Sequence, residues 1–223
     1  MLFFTLPQLY TLEFFLGSNK KKWDHQSRIF LLGIRKSIHL LNINSSYYQF
    51  KIALFFLRQT LFRGGKLLII NDNEYIDSPV LKKVYQNGQF LYAGKWIPGL
   101  LSNFRRFFRV MKRLQRKAQK TNNFILKKKL FLLKFMKILP SILFLLNSKY
   151  QLFPIRESLQ LKIPSIGIVD NRLNPYIYSY AIAGNLSMRG ALNTYMNIVL
   201  ESCKHAEILK RLSYKKIKFN KLS

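Results

Sequence analysis

The run Ser165-Ile166-Gly167-Ile168-Val169, entered through Pro164 and closed by Asp170-Asn171, limits what this chain can fold into. Its β-branched residues show no polar alternation, so the run reads as a strand covered on both faces, the strand type of a parallel sheet. Asn174-Pro175 marks a turn after it. Tyr180–Ala183 then reads as a second short strand, Gly184-Asn185 as a turn and residues 186–203 as a helix. This order puts the polar residues at the carboxyl edge of an open α/β sheet, where such folds bind their partners.

The chain upstream supplies the rest of such a sheet. Leu6, Leu9, Leu12, Phe15 and Leu16 lie near helical spacing and predict a short helix over residues 5–16, ended by Gly17. Residues 30–43 read as an extended stretch interrupted at Gly33-Ile-Arg-Lys36. Residues 45–62 read as an amphipathic helix, capped by Ser45 or Ser46, with Ile52, Phe55, Phe56, Gln59 and Phe62 on its apolar face. Arg63-Gly64-Gly65-Lys66 leads into the strand Leu67–Asn71. A helix over 74–86 and a strand at 90–92 complete one crossover. Residues 140–146 form another buried strand, and 155–161 its crossover helix. Between strands, Phe104, Phe107, Met111, Leu114 and Ala118 alternate three and four as in a heptad seam, and Thr121-Asn-Asn123 turns the chain into a second helix over 124–139. The expected organisation is therefore residues 1–103 as the N-terminal segment and first half of the α/β domain, 104–139 as an inserted basic hairpin, 140–203 as the second half, and 204–223 as a basic tail that orders on a partner.

Charge narrows the partner. Lys and Arg number 38 against 9 Asp and Glu, for a net charge of +29, and no acid occurs from Ser78 to Arg156. Self-repulsion on that scale is relieved by a polyanion, which points to nucleic acid. Eight cations, among them Arg105, Arg106, Arg109, Lys112 and Arg113, fall off the heptad seam.

Other functions lack their residues. The Gly-Gly-Lys at 64–66 precedes a strand and no Ser or Thr follows Lys66, the reverse of a phosphate-binding P-loop. No glycine-rich fingerprint follows Leu67–Asn71, and no GxSxG surrounds Ser187. Asp72 and Asp170 lack a third metal ligand; His25, His39 and His205 are scattered, and Cys203 is the single cysteine. No cofactor, metal or small-molecule substrate is expected. Residues 130–146 are too short for a membrane span and carry Lys134, Lys137 and Pro140, and residues 1–17 lack the features of a leader. The competing readings are a nucleotide-dependent α/β enzyme without its fingerprint and a basic peripheral membrane protein.

Five motifs in order resemble one family. Ile163-Pro164 to Asp170, Asn174-Pro175 and Ile182–Asn185 resemble the IPVIGIVDTNxDP…YPIPGND segment of universal ribosomal small-subunit protein two. Gly17, Trp23, Gly33, Arg35 and Ile38-His39 fit its FGxxxxxWNPxMxxYIxGxRxxIHIIDL spacing, with His25 and Ser27 as departures. Residues 63–70 resemble RGGKILFVGTK, residues 95–103 resemble RWLGGxLTN with Pro98 for a Gly, and 140–146 resemble xxDALFVID. The resemblance spans roughly residues 12–203. It implies a three-layer α/β/α flavodoxin-like sheet of five parallel strands in the order 2-1-3-4-5, with a shortened helical hairpin inserted. It further implies a structural role without catalysis, bound to small-subunit ribosomal RNA and neighbouring ribosomal proteins and not forming a homo-oligomer. The AT-rich-like composition and broken motifs suggest an organellar member, in a mitochondrion rather than a plastid. On charge and resemblance together the expected RNA contacts are Lys20, Lys21, Lys22, Trp23, Arg28, Arg35, Arg63, Lys66, Lys95, Trp96, Asn103, Arg105, Arg106, Arg109, Lys112, Arg113 and Arg189. The turn at Gly184-Asn185 and Ser187 offers backbone N–H groups for a further phosphate.

Overall fold

Five short aliphatic strands carry the molecule. In the computed structural model, which describes residues 5–11, 13–71, 78–107, 109, 113, 136, 138–146 and 152–220, β4 (Leu67–Asn71), β5 (Phe90–Ala93), β6 (Ile142–Leu145), β7 (Ser165–Val169) and β8 (Tyr180–Ala183) form one sheet. Its order is β5-β4-β6-β7-β8 and every pairing is parallel. Renumbered within the sheet this is 2-1-3-4-5, the expected topology.

Alternation along each strand divides the core between two faces. Leu67, Ile69, Phe144, Ile166 and Ile168 pack on one side with α2 (Ile43–Phe62), α3 (Ser78–Gln86) and α5 (Arg189–Asn220). Leu68, Ile70, Leu143, Leu145 and Val169 pack on the other side, with Trp96, Leu100, Leu101, Tyr178 and Ile155 of α4 (Leu152–Gln160). Gly167 is required here: a Cβ would sit 2.2 Å from the Tyr178 ring. The absence of a side chain lets the tyrosine lie flat on the strand.

The N-terminal segment builds a second, three-stranded sheet. After α1 (Leu6–Thr11), β1 (Leu16–Asn19), β2 (Leu31–Arg35) and β3 (Ile38–Leu41) pair antiparallel in the order β1-β3-β2. The expected helix over 5–16 is thus shorter. Glu13 takes a φ of 52°, outside the helical region, and Leu16 already belongs to β1. The extended stretch at 30–43 resolves into a hairpin whose turn residues Lys36 and Ser37 both have positive φ, as a two-residue primed turn demands.

Two helices depart from the sequence reading. The cap of α2 is Asn42, whose side chain accepts from Ser45 N at 3.2 Å, so the helix starts two residues before the expected position. Its buried stripe is Phe50, Ala53, Leu54, Leu57 and Leu61, whereas Ile52, Phe55 and Phe62 are exposed. The helix is apolar around most of its circumference, and the side carrying the small Ala53 is the one that seats on α5 and β8. The helix expected over 186–203 starts at Arg189 and continues to Asn220, so residues 204–220 of the basic tail are helical. Lys and Arg are good helix formers, and a rise in charge does not end a helix. Of the expected hairpin, residues 104–107 are helical at its base, while Met111, Leu114, Ala118 and the returning segment 124–135 lie outside the described residues.

Candidate nucleic-acid interface

The carboxyl ends of the strands are roofed by two polar junctions, and neither partner set is obvious from spacing. At the first, Gly94 turns the chain with a φ of 91° and donates its N–H to Asn71 O at 2.8 Å. The segment after it folds over the sheet around Glu157 of α4. One carboxylate oxygen of Glu157 accepts from Trp96 Nε1 at 2.9 Å and Gly99 N at 2.8 Å. The other accepts from Leu101 N at 2.8 Å and Ser102 N at 3.1 Å. A carboxylate meeting four N–H donors satisfies the backbone of a loop that has no ladder of its own. This fixes the base from which residues 104–107 depart. Phe104 and Phe107 turn toward the core there, while Arg105, Arg106, Arg109 and Arg113 are exposed.

At the second junction, Asn171 is fully buried and ties the small sheet to the large one. Its Oδ1 accepts from Ser18 N at 2.7 Å and from Ser18 Oγ at 2.6 Å. Its carbonyl accepts from Asp24 N at 2.8 Å and from Ser27 Oγ at 3.0 Å. Gly17 leaves the room: a Cβ would lie 3.0 Å from His39 O and 3.2 Å from Asn171 Oδ1. Asp170 beside it is paired with Arg172 and accepts from Arg172 N at 2.9 Å.

These junctions set out the expected contacts. Lys20, Lys21 and Lys22 are exposed on the turn after β1, and Lys20 N donates to Ser37 O at 3.0 Å, which places the Arg35-Lys36 tip alongside. Trp23 is half-buried against His25 and His39, with ring centroids 4.7 and 5.5 Å away. Arg28, Lys95 and Asn103 are exposed. Trp96 is a correction. It is 3% exposed, lies edge-on to Tyr92 and donates to Glu157, so its ring is a plug in the core and is closed to a base. Arg63 and Lys66 fall elsewhere: both precede β4 and stand at the amino ends of the strands. The side chains of Lys112 and Arg189 lie outside the described residues.

The turn at Gly184-Asn185 is also corrected as a phosphate cradle. Gly184 N–H donates to Val169 O at 3.0 Å and Ser187 N–H donates to Asn185 Oδ1 at 2.8 Å. The space a Gly184 side chain would take is filled by the Tyr195 hydroxyl, 2.1 Å from the Cβ position. Those N–H groups serve the fold. Burial pushes the Tyr195 phenol well above its ordinary range and the Cys203 thiol likewise. Both are kept neutral in the core.

Electrostatically, the edge is one-sided. Among the described residues, the acids near it are engaged internally: Glu157 with four N–H groups, Asp170 with Arg172, and Asp24 with Gln26 N at 2.8 Å at the start of the 3-10 turn His25–Phe30. Among the described residues no group of three or more His, Cys, Asp or Glu is placed to hold a metal, and no helix is long and apolar enough to cross a membrane.

Fold and edge together define a parallel α/β/α scaffold that presents cations rather than a reactive group. Comparison with known proteins gives the family: the chain belongs to the ribosomal protein S2 family, whose profile matches residues 9–206. It is similar to the small ribosomal subunit protein uS2 of Zymomonas mobilis, 24% identical over 220 residues that cover 91% of this chain and 88% of the relative. The uS2 proteins of Paramagnetospirillum magneticum (25% over 214 residues, 88% and 80% covered) and Blochmanniella pennsylvanica (27% over 201 residues, 82% and 88% covered) are comparable. The family is one of structural ribosomal proteins and not of enzymes. The expectation of a mitochondrial location is overturned by these relatives, which are bacterial proteins.

Proposed function

We propose that this chain is a structural constituent of the small ribosomal subunit that lays its carboxyl-edge cations on ribosomal RNA and braces neighbouring ribosomal proteins. The observation that carries the reading is the charge asymmetry of that edge. Lys20–Lys22, Arg28, Arg35 and Lys95 are exposed there, and among the described residues Glu157, Asp170 and Asp24 are hydrogen-bonded within the fold; Arg105, Arg106 and Arg109 form a second exposed group beside Leu139 and Leu161, which precede β6 and β7. Such an array fits a phosphate backbone better than any single small anion, because its charges are spread over several elements. Residues 104–139 supply further basic contacts to RNA in this reading, Lys112 among them, and Arg189 adds another.

Sedimentation tests the reading. Full-length chain mixed with small subunits stripped of their own copy is expected to comigrate with the particle at moderate salt and to leave it steeply as salt rises. Each phosphate neutralised contributes roughly 0.7–0.9 to the logarithmic salt slope. A chain that stays at the top of the gradient at every salt concentration overturns the proposal.

A further inference from the structure

The outward ridge of α2 is apolar and takes no part in either the core or the cationic edge. Along the helix Asn44, Tyr48, Ile52, Phe55, Gln59 and Phe62 are exposed, at the spacing of one helix face. Four of these six are large apolar side chains: Tyr48 is 64% exposed, Ile52 and Phe55 58% each and Phe62 43%. The core does not claim them, because Phe50, Ala53, Leu54, Leu57 and Leu61 on the opposite side already fill the seat on α5 and β8. With an aromatic side chain worth about 150–250 Å², the ridge shows roughly 400 Å² of apolar surface, a size at which such patches are commonly interaction sites.

The ridge has the period of a helix seam. From Tyr48 the steps to Ile52, Phe55, Gln59 and Phe62 alternate four and three, over a length of about 21 Å at 1.5 Å per residue. In that register Lys51 and Arg58 flank one side of the seam and Arg63 closes the other. Both flanking cations are held in place. The Lys51 ammonium lies 4.0 Å from the centroid of the Tyr47 ring and 5.5 Å from that of Tyr48. Arg58 donates from Nε to Leu54 O at 3.3 Å. The helix contains no Asp or Glu, so it supplies no counter-charge of its own.

We infer that the α2 ridge docks an amphipathic helix of another protein, with apolar residues along its seam and acidic residues on its flanks. The inference goes beyond the RNA reading and is independent of it. A straight, narrow ridge of this period accepts a second helix, whose acids meet Lys51 and Arg58. Gln59 is the one polar position within the run from Tyr48 to Phe62, and a polar partner opposite it fixes the register. A second copy of this chain fits poorly, since it would set the same cations against each other at +29 per copy. A lipid surface calls for a broader apolar face than a seam two positions wide. RNA bases stack about 3.4 Å apart, whereas Tyr48, Phe55 and Phe62 stand about 10 Å apart with aliphatic Ile52 between them.

The probe is a fluorescein-labelled three-heptad peptide with Leu at both seam positions and Glu on both flanks, titrated with full-length chain at moderate salt and read by anisotropy. A scrambled peptide of the same composition carries the same charge without the seam, and should bind at least about tenfold more weakly. Ile52→Ser/Phe55→Ser should weaken the ordered peptide about tenfold or more and leave the scrambled one unmoved. Lys51→Glu/Arg58→Glu should reduce the preference for Glu over Lys flanks about tenfold. All four side chains stand at the surface, so circular dichroism should be unchanged; if the double Ser variant loses its signal, Phe55→Ser alone decides. Equal affinity for ordered and scrambled peptides, or for wild type and the Ser variant, overturns the inference. A Ser variant that keeps the peptide but no longer pellets with phosphatidylcholine–phosphatidylglycerol vesicles, or no longer shifts an RNA hairpin, assigns the ridge to lipid or RNA and overturns it too. Ordered-peptide binding by a chain that never comigrates with the small subunit supports the inference and sinks the RNA reading, and comigration without peptide preference does the reverse.

Discussion

The two sheets of this molecule are held by opposite means. In the five-stranded sheet every residue of β4, β5, β6 and β7 is buried, and its strands are fixed by aliphatic packing on both faces. In the three-stranded sheet β2 is exposed along nearly its whole length, with Leu32 and Ile34 in solvent, and attachment runs through the hydrogen bonds at Asn171. Non-directional packing spreads its stability over many residues. A polar junction concentrates it on one. The first arrangement suits a scaffold, and the second suits an element that must keep its place on the edge while presenting cations.

The largest expected effect lies in the aliphatic sheet. Phe144→Ala, at a fully buried position of the central β6, should cost about 3–5 kcal/mol in denaturant unfolding at high salt. The loss should be global, and Cys203, 1% exposed and kept protonated by burial, should label faster with a thiol reagent in proportion. Next comes Glu157→Gln. The amide turns an NH₂ toward N–H donors and leaves buried groups unpaired, at about 1–3 kcal/mol. Trp96 fluorescence should report its loosening before the sheet melts.

Asn171→Ala sharpens the comparison further. It also removes about 1–3 kcal/mol of hydrogen bonding, but the effect should stay local. Amide exchange is expected to quicken in β1–β3 while β4–β7 and Cys203 keep their protection. Equal quickening in both sheets would break the contrast drawn above. The smallest effect belongs to Leu32→Ser, 68% exposed in β2, which should shift stability by no more than about 0.5 kcal/mol.

What the sequence disclosed follows the same division. The Ser165–Val169 strand and the parallel sheet were legible because burial on both faces leaves a continuous apolar run, whereas the 2-1-3-4-5 order came from the family resemblance alone. The seat of α2 was not legible: Phe55 and Phe62 compete with Phe50 and Leu57 for the inside, and only the partner surface decides. Glu157 was illegible for a different reason. Its partners are mostly backbone N–H groups 55 to 61 residues away, which leave no side-chain pattern to find. Trp96 was misassigned through the same blindness, since a Trp beside a Lys looks equally like a stacking platform. The proximity of Lys66 to Lys210 and Arg211 depends on α5 running past residue 203, beyond the expected end of the helix.

The junction at Asn171 also sets a clock. Ser18 and its anchor are separated by 153 residues, so the first part of the chain to be made is among the last to be fastened. At 5–20 residues per second, the lysine-bearing strand waits roughly 8–30 s for Asn171 to be synthesised. For that interval Lys20–Lys22 and the rest of the nascent N-terminus lack their fixed seat on the sheet. A chain this positive is therefore most open to attachment to a stray polyanion in the interval before Asn171 is made.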